Sequence, residues 1–193
     1  MNYAPLITSF NKYVSLSQID IDIICSKFEH RKYLKDEYIV RHSEVCKYRS
    51  FIIKGSLKKY FLDKDGNEQI LQLSMENHWS MEFNSFLNQV PAAYNIQCVD
   101  ELEVLQISFQ NLENLYLEAP IINVFFRKIF GTGLILAHDR IVKKLNLTAK
   151  EQYLDFLENR PNIEERFPQY MIASYLGFTK EFLSKIKKEI KNE

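Results

Sequence analysis

The sequence predicts an α+β protein: a small antiparallel β-sandwich or barrel with flanking helices, then a long helix and a small helical C-terminal domain. Three observations predict it. Between Tyr33 and Ile107 the chain reads as short β-rich pieces separated by turn residues, the pattern of a small antiparallel sandwich or barrel. From Pro120 to about Asn146 apolar residues recur at helical spacing without a break. After Pro168, Gly177 separates two short amphipathic segments, the signature of two helices joined by a tight turn.

Bulk composition fits this class. The chain has 193 residues, 46% hydrophobic and 26% charged, values of an ordinary globular protein of one large or two small domains. No apolar run reads as approaching the ~18–20 residues of a membrane span. Met1–Phe10 lacks the basic start and apolar core of a secretory signal. A cytoplasmic protein without a membrane partner is therefore expected. Cys25, Cys46 and Cys98 lie far apart, which argues against a disulfide framework, a zinc site or an iron–sulfur site. His30, His42, His78 and His138 are scattered, and no Ser/His/Asp pattern or glycine-rich phosphate loop occurs. Hence no metal, no cofactor and no catalysis are expected. The formal net charge is zero, so nucleic-acid binding requires a local basic face.

The elements follow in order. Residues from Pro5 to Phe28 read as helical, with Leu6, Phe10, Ile19, Ile23, Ile24 and Phe28 spaced for a buried stripe. Strand-like pieces follow at Tyr38–Val40, Phe51–Ile53, Leu57–Leu62, Gln69–Leu73, Tyr94–Val99 and Glu103–Ile107, with a hairpin turn at Asp63–Asn67. Ser108 is placed to cap a helix through Leu117. Pro120 opens the long one. Its apolar residues cover more than one face, so it must bury against more than one surface. The chain's own barrel is one cover. A second copy is the simplest other, with Ile122, Phe125, Ile129, Thr132 and Leu136 as the expected seam of a homodimer.

Thr148 and Glu151 form a capping box for the next helix, which ends near Asn159 before Pro161. In the last segment Ala173 supplies the small side chain a steep helix crossing needs. Ile172, Leu176, Phe178, Leu183 and Ile186 supply the inner apolar faces. Thr179 caps the final helix. At 100° per residue, Phe182, Leu183, Ile186 and Ile190 share one side, and Lys180, Glu181, Ser184, Lys185, Lys188 and Lys191 the other. A lysine-rich face with one acid suits a helix entering the major groove.

These residues resemble the Crp/Fnr family of bacterial regulators. The likeness rests on Ile172–Thr179 and Leu183–Ile186, on Phe51–Leu57 leading into a glycine turn, on Asp65-Gly66 followed by Glu68, and on Thr148–Tyr153. It spans nearly the whole chain. It implies a cyclic-nucleotide-binding-type β-roll or jelly-roll sensor domain at residues 1–119, a dimerisation helix at 120–146 and a helix-turn-helix DNA-binding domain at 147–193. By resemblance, Lys180, Glu181, Ser184 and Lys185 are base-reading positions, and Gln169, Thr179, Lys188 and Lys191 meet phosphates. Lysine replaces the arginine of many members at 180 and 185, and an ammonium lacks the guanidinium's two-pronged contact to guanine. With the chain ending at Glu193 and a short link from Asn162 to Phe167, a full wing beside the reading helix is not expected.

The family's nucleotide cassette corresponds to Glu82 and Phe83, then Ala92 and Ala93. Glu82 stands at the carboxylate position that meets the ribose, and Ala92 where an arginine meets the cyclic phosphate. A buried phosphate without that cation is poorly compensated, so the resemblance predicts a regulator unresponsive to cyclic AMP. Its implied partners are double-stranded DNA carrying an inverted repeat, a second copy of itself, RNA polymerase and an unidentified small-molecule effector. The alternative is a ligand-sensing or interaction module that does not bind DNA.

Overall fold

The computed structural model describes residues 2–192. Met1, where the first expected domain opens, and Glu193, where the last one closes, lie outside the described residues. By compactness the chain divides into two units. The first comprises the residues up to Phe61 together with Gln72–Gly131; the second comprises Leu62–Leu71 and the residues from Thr132 onward. The division falls elsewhere than the three-part reading: a hairpin tip joins the C-terminal unit, and the long helix is shared between the two.

The N-terminal segment forms two helices rather than one, α1 (Ala4–Asn11) and α2 (Gln18–Lys27). The break has a local cause. Ser17 and Asp20 make a reciprocal capping box that starts α2 afresh. Leu6, Phe10, Ile24 and Phe28 are buried as expected, whereas Ile19 is exposed.

Among the described residues eight strands follow: β1 (Glu29–Tyr33), β2 (Tyr38–Val40), β3 (Tyr48–Lys54), β4 (Leu57–Leu62), β5 (Glu68–Ser74), β6 (Trp79–Ser80), β7 (Asn95–Cys98) and β8 (Leu102–Ser108). They form two four-stranded sheets in the orders β1-β8-β3-β6 and β2-β7-β4-β5. Ile52, Val104 and Leu105 of one sheet and Val40, Leu57, Ile96 and Cys98 of the other belong to one apolar core. Gly55 turns the chain between β3 and β4 at φ +93°, and a Cβ there would lie 2.2 Å from the Glu101 carbonyl oxygen. Only glycine fits.

Helix α3 (Phe83–Asn88) sits between β6 and β7, and α4 (Phe109–Glu118) follows β8, capped by Ser108 as predicted. The long helix α5 (Ile121–Asn146) has 26 residues, about 39 Å at 1.5 Å per residue. One 18-residue window of it has mean hydropathy 1.3, so by length and composition α5 is apolar enough to cross a membrane. This corrects the expectation that no such run exists. In this structure Ile122, Phe125 and Phe126 are instead packed in the first unit's core. Phe10 and Phe125 stand 4.3 Å apart, centroid to centroid, and Trp79 and Phe126 5.4 Å. Such pairs add about 0.5–1.5 kcal/mol each beyond their burial.

That packing engages the first part of the expected dimer seam within its own unit and leaves Thr132 and Leu136 exposed. Ile122 and Phe125 are wholly buried within their own unit, and Ile129 packs partly against it. Leu136 falls on the same side of the helix by phase. Beyond Gly131 apolar residues are exposed on both sides: Leu136, 62% exposed, on the seam side, and Leu134, Ile141 and Leu145, flanked by Ile135 and Val142, opposite it, all more than half exposed. The helix is apolar nearly all round, so its phase alone did not say which stripe met the core.

In the second unit, the end of α5 is joined by α6 (Ala149–Asn159), α7 (Ile163–Arg166), α8 (Gln169–Leu176) and α9 (Lys180–Lys191). The Thr148–Glu151 capping box is present. Tyr153, Phe156, Ile163, Phe167, Met171, Ile172, Leu183 and Ile186 form the core. The segment between Asn162 and Phe167 holds α7, and among the described residues no strand follows β8. The hairpin segment belongs to this unit through β5, an edge strand. Ser174 Oγ of α8 donates to the Glu68 carbonyl at 2.8 Å and accepts from the Ile70 N–H at 3.0 Å. Arg140 Nη1 donates to the Leu71 carbonyl at 2.9 Å and its Nη2 to the Tyr175 carbonyl at 2.7 Å.

Candidate functional site

The lysine-bearing helix is positioned by its turn. Gly177 takes φ +82°, in the left-handed region, and its N–H bonds back to Ser174 while the Phe178 N–H reaches the Ala173 carbonyl at 2.8 Å. This closes α8 and reverses the chain within a few residues. Thr179 Oγ1 then accepts from the Phe182 N–H at 3.1 Å and starts α9. Ala173, Met171 and Ile172 of α8 are buried with Leu183 and Ile186 of α9. The small Ala173 lies at this junction, as the sequence reading required.

The face left outward carries Lys180, Glu181, Lys185, Lys188 and Lys191, all exposed. Ser184 is half-buried, and its Oγ accepts from Gln169 Nε2 at 2.9 Å. Two residues assigned separate contacts are therefore tied to each other. Lys187 is turned aside, with Nζ 2.6 Å from Glu164 Oε1. Phe182, expected inside, is 45% exposed and meets Phe178 edge to face at 5.5 Å. The arrangement presents lysine ammonium groups on one helix whose inner face packs against a partner helix.

The cassette region lies in the first unit. Glu82 is buried and caps α3, its Oε2 accepting from the Ser85 N–H at 2.6 Å. Ala92 is buried too, with its backbone N–H and carbonyl bonded to Glu44 and Ser43. Phe83 and Ala93 are exposed. Of the four expected pocket residues, two face inward.

Sequence reasoning missed Lys59. It pairs with Ile96 across β4 and β7 and is 8% exposed, with its Nζ 5.7 Å from the centroid of the Phe83 ring. Burial lowers its pKa, and the charges of Glu82 and Cys46 oppose that shift. Strand alternation carried the signal: Lys59 shares a face with Leu57, which is wholly buried. Burial likewise raises the pKa of the Cys46 thiol. Among the described residues no group of three or more His, Cys, Asp or Glu side chains is arranged to hold a metal ion.

Residues 30–119 match the cyclic nucleotide-binding domain family. No curated protein matches the sequence. Among solved structures, the chain is similar to CLP of Xanthomonas campestris, described as a c-di-GMP responsive global regulator, at 16% identity and TM-score 0.71, covering 90% of this chain and 91% of that one. It is also similar to FixK2 of Bradyrhizobium japonicum, at 19% identity and TM-score 0.70, with 86% and 85% covered. The catabolite activator protein of Thermus thermophilus aligns at 15% identity and TM-score 0.58, over 92% and 85%. The two-sheet unit, the long helix and the terminal helices thus have counterparts in one architecture. Residues 30–119 thus resemble a cyclic nucleotide-binding domain, and the chain as a whole shares its fold with these solved structures.

Proposed function

We propose that the protein is a dimeric, sequence-specific DNA-binding transcription regulator that acts in the cytoplasm without catalysis and does not respond to cyclic AMP. The observation that carries this reading is the outward face of α9, where Lys180, Lys185, Lys188 and Lys191 are exposed behind a glycine turn. The first residues of such a helix reach base edges and the later lysines meet phosphates. By analogy with the regulators of like fold, RNA polymerase is a further partner.

Dimerisation along α5 gives the exposed stripe of Leu134, Ile141 and Leu145 an apolar cover; these positions follow a heptad spacing together with His138. A two-fold dimer reads an inverted repeat with half-sites about 34 Å apart, or a multiple of that. Ala92, buried where a cassette arginine is expected, supports independence from cyclic AMP. Lys59 does bring a cation near, but Glu82 already opposes its charge. The domain's effector is then a different small molecule.

The test is retention of the protein on immobilised duplex DNA across a salt series. Binding through phosphates loses affinity steeply as salt rises, and that loss is the expected result. Absence of retention at low salt refutes the reading and leaves the interaction module, which the zero net charge would suit. For the effector, calorimetry showing micromolar cyclic AMP binding overturns the proposed independence.

A further inference from the structure

Arg49, on β3, is 2% exposed. Its side chain shares a face of the strand with Phe51, which pairs with Trp79 of β6. The guanidinium carbon lies 3.9 Å from the centroid of the Phe126 ring and 5.0 Å from those of Trp79 and Phe130. Two α5 rings and one indole therefore enclose it. Nε and Nη1 are buried and have no hydrogen-bond partner among the described residues, and neither has the Trp79 Nε1–H. Among the described residues no carboxylate answers the charge. The electrostatic neighbour is the Tyr116 phenol, and burial pushes the guanidinium down to about 9.

An arginine in an apolar setting keeps its proton in practice, so the charge has to be met. Stacking on rings meets part of it but leaves the Nε and Nη1 N–H groups without acceptors, and an unpaired buried donor is destabilising. A guanidinium fork is matched by a planar anion with two oxygens. The cation balances a single negative charge, and among the described residues no second buried base stands beside it to hold a dianion. Tyr116 and Phe130 are only partly buried, so that side of the cage borders solvent.

We propose that Arg49, with the Trp79 indole N–H as an additional donor, forms a binding site for a small monovalent carboxylate between β3 and the first half of α5. The site adjoins the cassette, since Phe130 meets the Phe83 ring at 5.3 Å, but it takes no donor from Glu82 or Ala92 and belongs to no part of the DNA-binding reading. Because Phe126 and Phe130 line it, occupancy fixes the packing of α5 on the sheet.

The protein supplies its own reporter, since Trp79 is the only tryptophan. Tryptophan emission and thermal midpoint are measured on the full chain as acetate, or formate, replaces sulfate at constant ionic strength. The expected result is a saturable emission change with a rising midpoint, both absent in Arg49→Met. A response that never saturates, one that persists unchanged in Arg49→Met, or no response overturns the site. Should Arg49→Met fail to fold, the Arg49 Nε–H resonance of the unaltered protein decides: it shifts in a saturable manner with acetate, or the proposal is wrong.

Discussion

Ser174 and Glu68 lie far apart in the chain and 2.8 Å apart in space, the Ser174 hydroxyl donating to the Glu68 carbonyl while accepting from the N–H of Ile70. One hydroxyl of α8 thus serves two backbone groups of β5. Ser174→Ala leaves both without that partner. Stability of the second unit is expected to fall by on the order of 1 kcal/mol, and the Ile70 amide to exchange its hydrogen several-fold faster. Hydrogen exchange with residue resolution checks this.

Gly177 holds φ +82°. A side chain there meets the flexible end of Lys144, which can move aside, so the cost is conformational. Gly177→Ala is expected to destabilise by about 1–2 kcal/mol, and Gly177→Asn by less, because asparagine tolerates the left-handed region. Thermal unfolding of the two variants gives the order.

Lys185 distinguishes reading from holding. If it meets a base, Lys185→Ala costs roughly 1–3 kcal/mol at the cognate site and little elsewhere. Should it meet phosphate, all sequences weaken together and the salt dependence becomes shallower by about one ion. Binding isotherms on matched and scrambled duplexes at several salt concentrations separate the outcomes.

Phe125 and Ile141 sit on opposite sides of α5, one wholly buried and the other 58% exposed. Ile141→Glu is expected to yield folded monomers in sedimentation. Phe125→Ala is expected to keep its oligomeric state while losing about 3–5 kcal/mol of stability. The reverse pattern would restore the seam first expected from sequence.

Cys98 is 1% exposed, and burial pushes its thiol up to about 12 from an ordinary 9. Between those values the unfolded chain releases the proton while the folded one keeps it. Its contribution to stability is therefore full below pH 9 and lost as pH rises toward 12. Denaturant midpoints measured upward from about pH 8.5 are expected to fall less steeply in Cys98→Ala than in the parent.

Sequence alone carried those features whose cause is local. The Thr148–Glu151 box, the Ser108 cap and the Gly177 turn each depend on a few neighbouring residues, and each is where the spacing placed it. Features set by distant partners were not legible. β1, Glu-His-Arg-Lys-Tyr, has no apolar alternation and is a strand because β8 pairs with it. The side of α5 that meets the core could not be chosen, since both sides are apolar. Within the cassette, Glu82 and Ala92 were identified and are buried, but Lys59 arrives from a different strand. The surroundings of Arg49 come from β6 and α5, and nothing near residue 49 announces them.

The outer margin of β5 has a further consequence. A bare strand margin is a template on which another polypeptide can add itself, and many proteins block it with proline, lysine or a bulge. Here the blocking groups are Ser174 and Arg140, borrowed from helices. Solubility is thereby linked to helix docking: whatever lifts α8 away uncovers a sticky ribbon, and a chain with its terminal helices undocked is prone to clump before it unfolds.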